Sequence, residues 1–164
     1  MKQILLMIMA VALVGCVQTM NGVKVGGGHP SDHYSPKAAM EARIRTAAKK
    51  PTGELTNADL EKVTELDLYG RQLTDLKGLE KLTQLKVLWL QFNQLTEVPK
   101  ELEKLTQLET LKLYNNKLTS VRGLEKLTQL RFLNLNYNPA LTKAQIDELQ
   151  KALPNCTIYS NPTK

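Results

Sequence analysis

Both histidines of this chain lie in one short stretch, and histidine is the commonest metal ligand in proteins. His29 and His33 flank Asp32, and Gly26-Gly27-Gly28 precedes them. Imidazole and carboxylate groups are common metal ligands, but a glycine-rich segment does not hold ligands in a fixed geometry. We therefore predict solvated side chains here, with no metal site and no cofactor.

The residues that might act in catalysis are also poorly placed for it. A nucleophilic cysteine needs a positioned base, and both histidines lie in the glycine-rich stretch, away from Cys156. Glu65 and Asp67 are two residues apart, but paired carboxylates on an open, wet surface rarely suit acid–base catalysis. The sequence has no Gly-x-Ser-x-Gly motif and no glycine-rich phosphate loop. We predict a protein that is not an enzyme.

The first sixteen residues have the chemistry of an export signal. Lys2 precedes an apolar run from Ile4 to Val14, which is short of the roughly 20 residues that a membrane-spanning helix needs. We predict that residues 1–15 are a signal peptide. The sequence Leu13-Val14-Gly15-Cys16 resembles the lipobox of bacterial lipoproteins. This resemblance implies that Cys16 becomes the lipidated first residue of the mature protein; the alternative is an ordinary cleaved signal with a chance cysteine.

Lipidation would place the protein at a membrane, because each acyl methylene buried in the bilayer contributes about 0.8 kcal/mol to membrane binding. Val17 stands where an aspartate would resemble an inner-membrane retention signal. The resemblance thus implies a cell-envelope location, at the outer membrane if the source is Gram-negative. With Cys16 lipidated, Cys156 has no disulfide partner. Residues 16–35 are predicted to be the lipidated cysteine and a flexible tether.

A helical segment is predicted to follow the tether. Ser35-Pro36 has the residue types of a helix start, the next residues are rich in Ala, Lys, Arg and Glu, and Pro51 ends the run. Thr56-Asn57-Ala58-Asp59 is typical of a second helix start. We predict that residues 36–62 form a helical cap over the open end of the domain that follows.

A repeated heptad organises the remainder of the chain. Leu-Glu-Lys-Leu-Thr-Gln-Leu begins at Leu79, Leu102 and Leu124, a period of 22 to 23 residues. A period in the twenties is typical of a solenoid, in which each unit buries its apolar face against its neighbours. From Val63 the residues follow L-x-x-L-x-L-x-x-N-x-L. This pattern resembles the leucine-rich repeat family, particularly the short repeats of internalin-like bacterial proteins.

The resemblance implies an α/β protein, a right-handed leucine-rich repeat solenoid with a parallel inner sheet, over residues 63–161. In L-x-L the leucines alternate with an outward residue, as in a strand with one buried face. Asn93, Asn116 and Asn138 follow the strands, where an amide can satisfy backbone groups inside the coil. Leucines three residues apart predict an outer 3₁₀ turn or a short helix. Thr142 with Gln145 predicts a capping box for a cap helix over residues 143–152.

Aromatic residues are concentrated on the outward strand positions. Seven of the chain's eight aromatics fall there or one residue beyond. Exposed rings give a large contact area at low entropic cost, which favours binding. The alternative is that aromatics prefer strands and pack on one another between coils. The predicted concave-face binding residues are Tyr69, Trp89, Phe92, Lys112, Tyr114, Phe132, Tyr137 and Tyr159.

These features predict a membrane-anchored protein that binds another protein or a glycan. The net charge of +6 comes from basic residues interleaved with acidic ones, so no nucleic-acid partner is expected. The alternative is a scaffold protein of the envelope that self-associates without a dedicated ligand. Cys156 occupies a leucine position, which predicts a buried, inert thiol.

Overall fold

The computed structural model describes residues 18–20, 23–25 and 35–162. The chain divides into two compact units, Met1–Ser35 and Pro36–Lys164. The predicted signal peptide, Cys16 and the group formed by His29, Asp32 and His33 lie outside the described residues.

The first unit contains a short antiparallel strand pair. Strand β1 (Gln18–Met20) pairs with β2 (Val23–Val25), with Met20 opposite Val23. This pair lies within residues 16–35, the range predicted to be a lipidated cysteine and a flexible tether. Asn-Gly is a strong hairpin-turn dipeptide, and Asn21-Gly22 between the two strands is the sequence signal that the prediction did not use.

The second unit starts with two helices, α1 (Pro36–Ala47) and α2 (Asn57–Leu60). Met40 and Ile44, one helical turn apart, are the buried residues of α1. The α2 helix begins with a capping box between Thr56 and Asp59. Apolar residues on one face of α1 and side-chain capping of α2 are the local features that place both helices in this segment.

A parallel five-stranded sheet follows the helices. Its strands are β3 (Glu65–Asp67), β4 (Val87–Trp89), β5 (Thr110–Lys112), β6 (Phe132–Asn134) and β7 (Thr157–Tyr159), and they lie side by side in chain order. The central residues Leu66, Leu88, Leu111, Leu133 and Ile158 are in register across the sheet. Each coil of the chain therefore adds one strand.

The leucines of successive coils share one interior. Leu88, Leu111 and Leu133 are completely buried within a single apolar cluster. The chain returns between strands through 3₁₀ helices at Leu79–Lys81, Lys100–Lys104 and Leu124–Lys126, each of which buries a leucine. The predicted outer turns are confirmed, and so is the fold class, a leucine-rich repeat solenoid with a parallel sheet.

The asparagines have the predicted role within the coils. The Asn116 side-chain amide donates to the carbonyl oxygens of Leu90 (2.9 Å) and Leu113 (3.0 Å), and its Oδ1 accepts from the Leu95 amide at 3.1 Å. Asn93 and Asn138 bind backbone groups in the same way. Buried backbone N–H and C=O groups in the turns after the strands thereby gain hydrogen-bond partners.

The last coil contains helix α3 (Lys143–Ala152), with the predicted capping box between Thr142 and Gln145. Cys156 is buried, as predicted, and burial raises the pKa of its thiol to about 11. Among the helices in the described ranges, none has the length and apolarity that a membrane span requires.

Candidate functional site

The predicted binding residues lie on the side of the sheet opposite the leucines, or at the edge where the strands end. Tyr69, Phe92, Tyr137 and Tyr159 are exposed. Trp89, Lys112, Tyr114 and Phe132 are half-buried. The alternation that buries Leu88 and Leu111 directs Trp89 and Lys112 to the other face. We call this surface the sheet face.

Four of the rings form a continuous row, which we call the ring row: Tyr69, Phe92, Tyr114 and Tyr137. Ring centroids are 5.0 Å apart for Tyr69 and Phe92, 5.2 Å for Phe92 and Tyr114, and 5.0 Å for Tyr114 and Tyr137. The planes of these pairs meet at 47°, 53° and 65°, the tilted geometry that aromatic pairs prefer. The row crosses four successive coils.

The ring row is built from two alternating backbone positions. Phe92 and Tyr137 each directly precede a buried asparagine, and both have left-handed backbones with φ near +57°. In the other two coils Gly70 and Asn115 occupy this left-handed position, which glycine and asparagine tolerate. There the ring belongs to the preceding residue, Tyr69 or Tyr114. The aromatic residues at Phe92 and Tyr137 thus carry backbone strain of roughly 1 kcal/mol each or more.

The other rings make separate contacts. Phe132 packs against Tyr159 with centroids 5.3 Å apart, and the Lys112 ammonium lies 6.0 Å from the Trp89 ring centroid. Trp89, Tyr114 and Phe132 are three of the residues predicted on the binding face. Within the part of the chain that the structure describes, these three rings fall in three neighbouring groups rather than one cluster.

Charged residues are sparse on the sheet face. Glu65 and Asp67 lie on the edge strand β3, and Lys112 lies on β5. The Arg43 guanidinium of α1 binds the Asp67 carboxylate at 2.9 Å and also donates to the Asp67 carbonyl oxygen at 2.8 Å. This bond is not predictable from the sequence, because Arg43 and Asp67 are 24 residues apart and no local pattern marks the pair.

The sheet face presents groups that suit contact with another molecule. Across residues 35–162 no three His, Cys, Asp or Glu side chains gather in a way that could hold a metal ion. The face offers ring surfaces and tyrosine hydroxyl groups beside one cation. Such a surface can bury apolar area and form a few directed hydrogen bonds.

Comparisons with known proteins agree with the fold. Residues 83–139 match the family described as Leucine rich repeat. No curated protein sequence matches the chain. Among solved structures, internalin C2 from Listeria monocytogenes is 25% identical with a TM-score of 0.65; the match covers 77% of this chain and 56% of internalin C2.

Two further structures are similar. A leucine-rich repeat protein of Leptospira interrogans is 32% identical with a TM-score of 0.54, over 65% of this chain and 28% of that one. The functional domain of InlJ from Listeria monocytogenes is 28% identical with a TM-score of 0.57, over 74% and 26%. This chain therefore spans little more than half of the first of these structures and under a third of the other two. It has the leucine-rich repeat fold and resembles bacterial internalins.

Proposed function

We propose that this chain is a non-enzymatic binding protein whose sheet face contacts another protein. The observation that carries the proposal is the ring row, four partly exposed rings held in contact across four coils. The apolar core requires leucines inside the coils but no rings outside them. Solenoids commonly use such extended faces for binding.

A protein partner fits this face better than a glycan. The ring planes tilt by 47° to 65° from one to the next, so the row has no common flat platform along which an extended glycan could stack. Aromatic residues are enriched in the buried core of protein interfaces, which supplies most of the binding energy. The glycan alternative is an outcome of the same test.

The test is affinity capture with the purified full-length chain. A Tyr114→Ala, Tyr137→Ala double variant removes half of the ring row, and Lys104→Ala, on an outer 3₁₀ turn, is the matched surface control. We expect the double variant to lose specifically bound proteins while the control retains them, with the same circular dichroism for all three. Equal capture by all three would overturn the proposal, and loss of a carbohydrate in place of a protein would favour the glycan.

A scaffold function is the second candidate, and the edge strand β7 favours it. Among the described strands, β7 has a neighbour only on the β6 side. An unpaired strand edge can pair with another chain. Sedimentation velocity over a hundredfold range of concentration tests this candidate. Reversible assembly without any captured partner would support a scaffold, and a constant monomer would exclude it.

We also propose that Cys16 carries the lipid that anchors the protein at the cell envelope, at the outer membrane in a Gram-negative source. The lipobox-like sequence ending at Cys16 supports this proposal. Mass spectrometry of the mature protein should find an acylated N-terminal cysteine. A Cys16→Ala variant should lose labelling by an alkynyl palmitate analogue. An unmodified N-terminus would contradict the anchor without affecting the binding proposal.

A further inference from the structure

Lys112 is the one basic residue among the outward strand positions of the sheet face. It lies on β5, the middle of the five parallel strands, and its side chain is half-buried. The acidic residues of this face, Glu65 and Asp67, lie on the edge strand β3, so Lys112 is the charged residue at its centre. A central cation resembles a specificity contact more than a solubilising charge, since central residues dominate interface energetics.

The neighbours of Lys112 leave its charge without a carboxylate. Trp89 and Asn134 are its register partners on the adjacent strands, and Thr110 and Tyr114 flank it along the chain. The Lys112 ammonium nitrogen lies over the Trp89 ring, 6.0 Å from its centroid. Within residues 35–162, no carboxylate oxygen lies within 4.0 Å of that nitrogen.

The nearby acidic residues are engaged elsewhere or distant. Asp67 is two strands away and is bound by Arg43 at 2.9 Å. Glu109 precedes β5 and pairs with Lys86 at 3.3 Å. The charge on Lys112 is therefore available to a group that arrives from outside.

We propose that the partner of the sheet face presents an acidic side chain, aspartate or glutamate, to Lys112, with apolar residues beside it on the ring row. A single lysine supplies one compact charge, which suits one carboxylate. A phosphate group is usually bound by several cations or by a bidentate arginine, and the sheet face offers neither. This inference rests on the proposed function and specifies the class of protein segment that the face would take.

The test is selection of a random displayed peptide library on the full-length chain. Parallel selections use Lys112→Gln, Lys112→Glu and the matched control Lys117→Gln, an exposed lysine of the same coil that lies off the sheet face. A Tyr114→Ala selection reports on the ring row itself. Urea unfolding midpoints should agree among the lysine variants, which confirms that each is folded.

We expect peptides selected on the wild type to carry Asp or Glu next to apolar residues. The best of them should bind Lys112→Gln about tenfold more weakly and Lys117→Gln equally well. Selection on Lys112→Glu should instead enrich Lys and Arg. Added salt should weaken binding to the wild type more than binding to Lys112→Gln.

The selections distinguish failure of the acidic partner from failure of the binding function. If selected peptides need Tyr114 but show no acidic preference, or are indifferent to Lys112→Gln, the acidic partner is excluded and the binding function stands. If no selected peptide loses affinity for Tyr114→Ala, the acidic partner and the proposed function both fall.

Discussion

The left-handed aromatic residues are the least expected feature at the scale of single residues. Phe92 and Tyr137 hold φ near +57°, where a β-carbon clashes with the backbone. Their contacts with Tyr69 and Tyr114 offset part of this strain. Strained positions concentrate at functional sites, so the ring row is a reasonable place to look for function.

Glycine should therefore be better tolerated than alanine at position 92. Both Phe92→Gly and Phe92→Ala lose the ring contacts, but only glycine relieves the left-handed strain. We expect Phe92→Gly to be the more stable of the two by about 1 kcal/mol, the reverse of the usual order within strands or helices. Urea unfolding of both variants measures this difference. A more stable alanine variant would show that the backbone at this position is not left-handed.

The buried asparagines should be among the most sensitive polar residues. Asn116→Ala would leave the carbonyl oxygens of Leu90 and Leu113 and the Leu95 amide without their partner. We expect a loss of about 2 to 4 kcal/mol in the free energy of unfolding. The exposed Asn155→Ala is the control and should change it by less than about 0.5 kcal/mol. Equal effects would contradict the role of the asparagines.

At the scale of elements, the N-terminal cap depends on one buried carboxylate. Asp59 accepts from Lys50 Nζ at 2.6 Å and from the Thr56 hydroxyl at 2.7 Å, and Lys62 lies 3.3 Å away. The hydrogen bond from Lys50, followed by those from Thr56, holds the pKa of Asp59 far below its usual value. The ionised carboxylate thus links α2 to Lys50, in the segment that follows α1.

This linkage predicts how stability depends on pH. Because the pKa of Asp59 is lower in the folded chain than in the unfolded chain, its stabilisation is present above the unfolded pKa, near 4. The stabilisation is then lost as the pH falls towards the folded value. Urea unfolding between pH 7 and pH 3 should show a smaller acid-dependent loss for Asp59→Asn than for the wild type. The exposed Glu54→Gln should behave as the wild type; a wild-type profile for Asp59→Asn would contradict the linkage.

The elements also show how far the sequence predicts the structure. Leucine spacing predicts the strands and outer turns. A shift of one residue in a strand would move its leucines from the buried face to the solvent face. Asn93, Asn116 and Asn138 were predictable because the coil leaves few ways to satisfy those backbone groups. The alternation of the ring row was not predictable, because it depends on left-handed angles at Phe92 and Tyr137 that no propensity favours. The Arg43–Asp67 bond depends on how α1 packs on β3.

At the scale of the whole Pro36–Lys164 unit, stability should be shared between neighbouring coils. Leu111 lies on the middle strand and is completely buried, so a cavity there faces the coils on both sides. We expect Leu111→Ala to lower the free energy of unfolding by about 2 to 5 kcal/mol. Circular dichroism during urea unfolding measures this change in the free energy of unfolding. A loss below about 1 kcal/mol would mean that the coils do not share one core.

For the whole molecule, we propose that the sheet face is where this protein meets its partner. Replacing Phe92 with the photoreactive benzoylphenylalanine keeps an aromatic ring in the ring row, and the same replacement at Lys104 places the probe on an outer turn. Irradiation of cells that carry each form is the most direct test. We expect a discrete cross-linked protein adduct from position 92 and none from position 104. Adducts only from position 104, or identical adducts from both, would contradict the claim.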